Sequence, residues 1–212
     1  MADILTPNYS AEEFRARALL SLGNGAVANE EYGDHRFNPG HPRLKFKAEL
    51  RNAAVLIPVV DRGPDATVLL TKRNELLRNH SGQVAFPGGR IDPEDVSPEA
   101  AALREADEEI GLKRSFIDVI GRMPDYVSGS GYRIAPVLGI VQPGFHLTLN
   151  PDEVDTAFEV PLSFLMDAAN HRESHVDVEQ RLWRYYEMPY GGQRIWGVTA
   201  GILRTLYERL YS

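Results

Sequence analysis

The chain has 212 residues, 43% of them hydrophobic and 25% charged, ordinary globular usage that excludes disordered and collagen-like architectures. Its formal net charge of −7 runs opposite to a broad nucleic-acid footprint, so no nucleic-acid partner is expected. With no cysteine there is no disulfide, thiolate metal site or cysteine nucleophile, and no apolar run approaches the ~18 residues of a membrane span.

The first residues, MADILTPNYS, lack the basic and apolar regions of a secretion signal, so a cytoplasmic location is the expectation. Ser10 and Glu13 stand in capping-box spacing before Phe14, Ala18 and Leu22, which predicts a helix over 10–22. Residues 23–42 gather Gly, Asn, Pro and charge and read as a long surface loop or an arm against the main body. Residues 1–50 are therefore expected to form an N-terminal helical extension and arm, with one domain over 51–212.

Strands are predicted at Arg51–Val60 and 67–71, because apolar runs there flank the turn-forming Asp61-Arg62-Gly63-Pro64-Asp65. Residues 74–96 read mostly as loop. A helix follows: Ser97 is a good N-cap, Pro98 suits the first helical position, Glu99 favours the dipole and Gly111 stops the chain. Further strands are predicted at 116–121, 132–141, 155–160 and 182–188. A last helix covers 197–210, with Val198, Ile202, Leu206 and Leu210 as its apolar stripe. The fold class is α/β in the broad α+β sense, one mixed sheet with helices.

The informative chemistry lies at 86–112. On the helix, Glu105, Glu108 and Glu109 fall within one arc of roughly 100°, while Ala102, Leu103, Ala106 and Ile110 occupy the neighbouring arc and can pack on the sheet. Three like charges at such spacing repel. Mg²⁺ or Mn²⁺ would offset the repulsion, because hard cations favour carboxylate oxygens and keep waters to exchange with a substrate phosphate. A solvated acidic face with Arg104 as counter-ion is the plain alternative, and Asp107 is assigned to solvent. Charge is also segregated: residues 69–90 carry +3 and residues 91–112 carry −7. A protein acting on a polyanion needs that division, with carboxylates for metal and separate cations and loop amides for phosphate.

The segment Gly89…Asp95…Arg104-Glu105-Ala106-x-Glu108-Glu109-x-Gly111-Leu112 resembles the Nudix box of diphosphate-cleaving hydrolases, with Asp95 where the general pattern has Glu and one residue more before Arg104. Upstream, residues 69–89 resemble the second signature of the coenzyme A diphosphatase subfamily. Leu70, Thr71, Arg78, Gly82 and Phe86-Pro87-Gly88-Gly89 fall at its spacings, and Asn74 replaces its usual Ser or Ala. Asn150-Pro151-Asp152-Glu153-Val154 and Ile195-Trp196-Gly197 are similar to the same subfamily. The resemblance covers about residues 50–211 and implies an α/β/α sandwich around a mixed sheet. It implies hydrolysis of the diphosphate of coenzyme A to 3′,5′-ADP and 4′-phosphopantetheine, with Mg²⁺ or Mn²⁺ on Glu105, Glu108 and Glu109.

Within that reading Arg104 orients Glu105, and Glu105 or Glu153 is the general base. Arg78, Lys72, Arg73 and His80 are candidates for the substrate's phosphates. Phe86, Gly88 and Gly89 position the metal loop or touch substrate. The competing readings are a Nudix hydrolase of another nucleoside diphosphate derivative, such as ADP-ribose or a dinucleotide, and a non-catalytic nucleotide-sensing module. A small-molecule substrate and a homodimer are the partners considered, with no membrane contact. Trp183, Tyr185 and Tyr186 read as strand packing, and the His171…His175 pair does not match a zinc-protease pattern.

Overall fold

The computed structural model describes residues 8–23, 31–44, 50–77, 81–178 and 180–212. Two long strands form its axis. β2 (Arg51–Val60) and β8 (Tyr132–Val141) pair in parallel along their whole length, from Arg51↔Tyr132 to Val60↔Val141. Ala53, Ile57 and Val59 of β2 join one core, while Ala54, Leu56 and Val60 join a second core on the opposite face. β8 divides likewise, Ile134, Leu138 and Ile140 against Ala135, Val137 and Val141. Strands buried on both faces need helices on both faces. Among the described residues nine strands join this mixed sheet, including β3 (Thr67–Arg73), β6 (Ile117–Arg122) and β9 (Val154–Pro161).

Helix α2 (Pro98–Ile110) covers one face with Ala102, Ala106 and Ile110, all fully buried. Its ends follow from the sequence: Ser97 Oγ accepts from Ala100 N at 3.2 Å, and Gly111 closes the helix in the left-handed conformation at φ 68°. The other face is covered by α1 (Ala11–Gly23) and α4 (Val198–Leu210), through Phe14, Leu203 and Leu206, and the one-turn helix α3 (Leu162–Leu165) adds Leu162 and Leu165 to the same core. Each such side chain contributes about 1.5–3 kcal/mol by leaving water. The result is the expected sandwich of helices around a mixed sheet. The capping box at Ser10 is present, with Glu13 N donating to Ser10 Oγ at 3.2 Å.

The described residues of 74–96 are mostly loop, as expected, with two short strands among them, β4 (Val84–Ala85) and β5 (Gly88–Arg90); β5 pairs antiparallel with β2 at Ala53↔Arg90 and Val55↔Gly88. The structure departs from the sequence reading in two places. The arm at 31–44 enters the sheet, because β1 (Tyr32–Gly33) pairs in parallel with β7 (Tyr126–Val127). Finally, the strand expected at 182–188 is the middle one of a separate antiparallel sheet, β10 (Arg172–Val178), β11 (Arg181–Tyr190) and β12 (Gln193–Trp196). Trp183 and Tyr186 are buried there as expected. Asn38 ties the 31–44 segment to this sheet, accepting from Arg184 N at 2.7 Å and donating to Arg184 O at 3.0 Å. No helix among the described residues is long and apolar enough to cross a membrane.

Candidate active site

The site grows from the contact between α2 and the Gly88–Gly89 strand. At Gly88, φ is 154° and an added Cβ would strike Ala54 O, so only glycine lets this backbone lie against β2. Its N–H thereby points at α2 and donates to Glu109 Oε2 at 3.1 Å. Arg73, at the end of β3, approaches Glu109 Oε1 from the other side at 3.4 Å. The Glu109 side chain is 3% exposed. Burial pushes its pKa up to about 7, helped by the charges of Glu105 and Glu153 and opposed by the Gly88 N–H and Arg73. Glu105 is likewise raised, first by burial and then by Glu108 and Glu153, with Arg104 opposing.

Arg104 organises the outer edge of the group. Nε and Nη2 grip the two oxygens of Asp95 at 3.1 and 2.9 Å, a bidentate pairing that fixes the plane of the guanidinium. Nη1 then reaches Glu105 Oε1 at 3.0 Å and Glu108 Oε2 at 2.8 Å. Asp95 is thus the anchor of Arg104, whose hydrogen bonds hold the Asp95 carboxyl below its usual range. Asp107 pairs with Lys113 at the surface.

Glu153 reaches the same neighbourhood through its loop. Asn150 N donates to Glu109 O at 2.9 Å and Thr148 N to Ile110 O at 2.9 Å, which docks the loop on the last turn of α2. Asn150 Nδ2 then donates to Glu153 Oε1 at 3.2 Å. Asn74 holds the loop from β3, its Nδ2 donating to Pro151 O at 2.6 Å and its N to Glu153 O at 2.9 Å. The asparagine at this position therefore has a structural role.

The carboxylates Glu105, Glu109 and Glu153 and the outlying Glu108 are the hard oxygen donors that a Mg²⁺ or Mn²⁺ ion takes. Two of them are held partly or wholly out of water with raised pKa values, a state that a divalent cation relieves. The donor chemistry fits. Among the described residues, however, no three acidic or histidine side chains stand gathered as a metal cage. Arg104 draws Glu108 outward, leaving its side chain 56% exposed.

A cavity of about 440 Å³ opens on the other side of the Gly88–Gly89 backbone. Arg73 and Phe86 line it beside the two glycines, as the sequence reading placed them near substrate. Lys72 is turned away: it pairs with Glu75 at 2.9 Å and with Asp155 at 3.7 Å. Arg78 and His80 lie outside the described residues. The remaining wall was not anticipated. Trp183 and Trp196 come from the small sheet, Thr199 and Ile202 from α4, and Asp34 and Arg43 from the arm. Trp183, read as strand packing, does pack and also faces this cavity; its aromatic character was visible in sequence, but its neighbours were not.

Residues 50–182 match the family model described as the NUDIX domain. Proteins of Yersinia pestis (strain Pestoides F) and Yersinia pseudotuberculosis (serotype O:1b, strain IP 31758), each named "Uncharacterized Nudix hydrolase NudL", are 41% identical over 211 residues, covering 99% of this chain and 99% of each relative. Among solved structures, RenU, a Nudix hydrolase from M. smegmatis, aligns with a TM-score of 0.50 at 21% identity, covering 74% of this chain and 84% of that one. DR0079 from Deinococcus radiodurans aligns with a TM-score of 0.50 at 13% identity, covering 75% and 84%. Both structures are likenesses of fold.

Proposed function

We propose that this chain, which belongs to the NUDIX domain family, hydrolyses the diphosphate of coenzyme A or a derivative of it, giving 3′,5′-ADP and 4′-phosphopantetheine. As a Nudix hydrolase its coarser activity is hydrolysis of nucleoside diphosphate derivatives. The observation that carries the reading is the placing of Glu105 and Glu109 directly behind Gly88 and Gly89, the two glycines that line a 440 Å³ cavity. A cavity of that size takes a large part of a nucleotide.

Glu105, Glu108 and Glu109 are proposed to hold Mg²⁺ or Mn²⁺, with Glu153 within reach as a further donor or as the general base. The ion, when bound, polarises the diphosphate and lowers the pKa of a bound water. Glu105, oriented by Arg104, is the other candidate to take the proton of the attacking water. Arg73, at the junction of Glu109 and the cavity, neutralises charge on the diphosphate; Arg78 and His80 are proposed to assist from their adjoining segment, and Phe86 and the glycine amides to position it. Lys72 is proposed as a more distant contributor to the same positive edge.

Support for coenzyme A in particular comes from residues 69–89 and their subfamily spacing. ADP-ribose and dinucleotides are the competing substrates. Incubation with coenzyme A and magnesium, with and without chelator, followed by product masses, tests the reading. Magnesium-dependent release of 3′,5′-ADP is expected; equal or faster turnover of ADP-ribose would reassign the substrate. A homodimer and a cytoplasmic location are proposed as the setting.

A further inference from the structure

Asp34 lies outside the matched region at 50–182, yet it forms part of the cavity wall. Its position is built by the sheet. Gly33 sits so close to Val127 that an added Cβ would strike Val127 O, and this contact sets the following residue over β7. The Asp34 carboxylate then accepts from Tyr126 Oη at 2.7 Å and from Gly129 N at 2.6 Å. Only 9% of the residue is exposed. Trp183 packs against Gly129 so tightly that a Cβ there would strike the indole ring, and Arg43 covers the ring at 5.0 Å.

Those two hydrogen bonds do not by themselves call for a carboxylate. An asparagine would make both, its carbonyl accepting from Gly129 N and its amide donating to the Tyr126 oxygen. It would also avoid burying a charge, which is costly. Besides a charge facing Arg43 and His35, what the carboxylate adds is acceptor capacity: about four lone-pair sites, of which the described residues use two. The surplus sits on a wall beside an indole, and β2, β8 and β7 lie between β1, which leads into Asp34, and the Gly88–Gly89 strand.

We infer that Asp34 is a specificity residue, accepting a hydrogen bond from the exocyclic amino group of the substrate's base, which lies beside Trp183 while the diphosphate lies at Gly88–Gly89. The assignment rests on the reading of the substrate as a nucleoside diphosphate derivative. It makes the arm part of the active site. An amino-bearing base such as adenine gains this contact. Hypoxanthine presents a carbonyl there, and two acceptors face one another.

The test is calorimetric binding of ADP and IDP, with magnesium, to the wild type and to Asp34→Asn. The wild type is expected to bind ADP about tenfold or more tightly than IDP, since an unpaired buried acceptor forfeits a hydrogen bond to a charged group. In Asp34→Asn the amide offers a donor, and the preference is expected to vanish or reverse. Equal affinities in the wild type would overturn the assignment, as would an equal loss of both ligands in the variant. Binding of 4′-phosphopantetheine that depends on Asp34 while ADP binding does not would also overturn it. Should the variant fail to fold, the wild-type ratio decides. Failure to hydrolyse coenzyme A would strike the substrate reading and leave this ratio standing.

Discussion

Gly89 and Glu105 lie so close together that a methyl group added to the glycine would fall on the glutamate's carboxylate. A strand residue with no side chain thus sets the position of a proposed metal ligand on the helix behind it. Gly89→Ala is expected to displace Glu105 and lower kcat about hundredfold, the cost of a misplacement near 1 Å. Steady-state turnover of coenzyme A at saturating magnesium measures it; turnover within twofold of wild type would show that Glu105 has no fixed place in the reaction.

Arg104 divides its fork among Asp95, Glu105, Glu108 and the Arg90 carbonyl. A lysine keeps the charge but cannot make the paired contact with Asp95 and the bridge at once. Arg104→Lys is expected to weaken magnesium affinity or activity by about ten- to hundredfold, as loss of an outer orienting partner does. A magnesium titration of the rate gives the answer.

Glu109 is buried, with the Arg73 guanidinium at 3.4 Å and the Gly88 N–H as its partners among the described residues, so its charge opposes folding until the proposed cation binds. Glu109→Gln is expected to raise the melting temperature of the chelated protein by roughly 2–4 °C, the shift given by about 1 kcal/mol in a chain of this size. Magnesium is expected to raise the melting temperature of the wild type further, and the same variant to lose that rise. Thermal melts with chelator and with magnesium separate the two effects.

The helix that carries this group was legible because its punctuation is local. Ser97, Pro98 and Gly111 each act within one turn, and the buried Ala102, Ala106 and Ile110 repeat at helical spacing. The acidic arc was legible for the same reason, although not its distribution: Glu109 is buried and Glu108 exposed, a difference made by Gly88 and Arg104. β10 escaped notice because Arg172-Glu173-Ser174-His175-Val176-Asp177-Val178 has no face of consistently apolar residues; it is held by pairing with β11. The strand within the arm escaped for a different reason. Two residues, Tyr32 and Gly33, pair with a segment more than ninety positions away, and no local pattern marks such a contact. Asp34, Trp183 and Trp196 meet through that pairing, the Asn38–Arg184 contacts and the pairing of β11 with β12, so this part of the cavity could not be read from the chain.

His171 gives a pH dependence away from the site. Its Nε2 donates to Leu165 O at 2.7 Å, its ring packs edge-on against Tyr207, and its Nδ1 is buried with no partner among the described residues. Burial lowers its pKa below the ordinary 6.5, so the folded protein resists a proton that the unfolded chain accepts. The associated stability is present above pH 6.5 and is lost as the pH falls below it. His171→Gln, whose amide can donate to the same carbonyl, is expected to flatten this part of the profile. Denaturant unfolding of both proteins between pH 5 and 7.5 checks the sign, and parallel profiles would contradict it.

The carboxylates of α2 are proposed to hold a divalent cation beside the Gly88–Gly89 strand. Anomalous diffraction from crystals soaked in manganese and coenzyme A tests it most directly. A peak bounded by Glu105, Glu108 and Glu109, absent in Glu105→Gln, is the predicted result. No peak among these side chains, or one that persists unchanged in the variant, would contradict it.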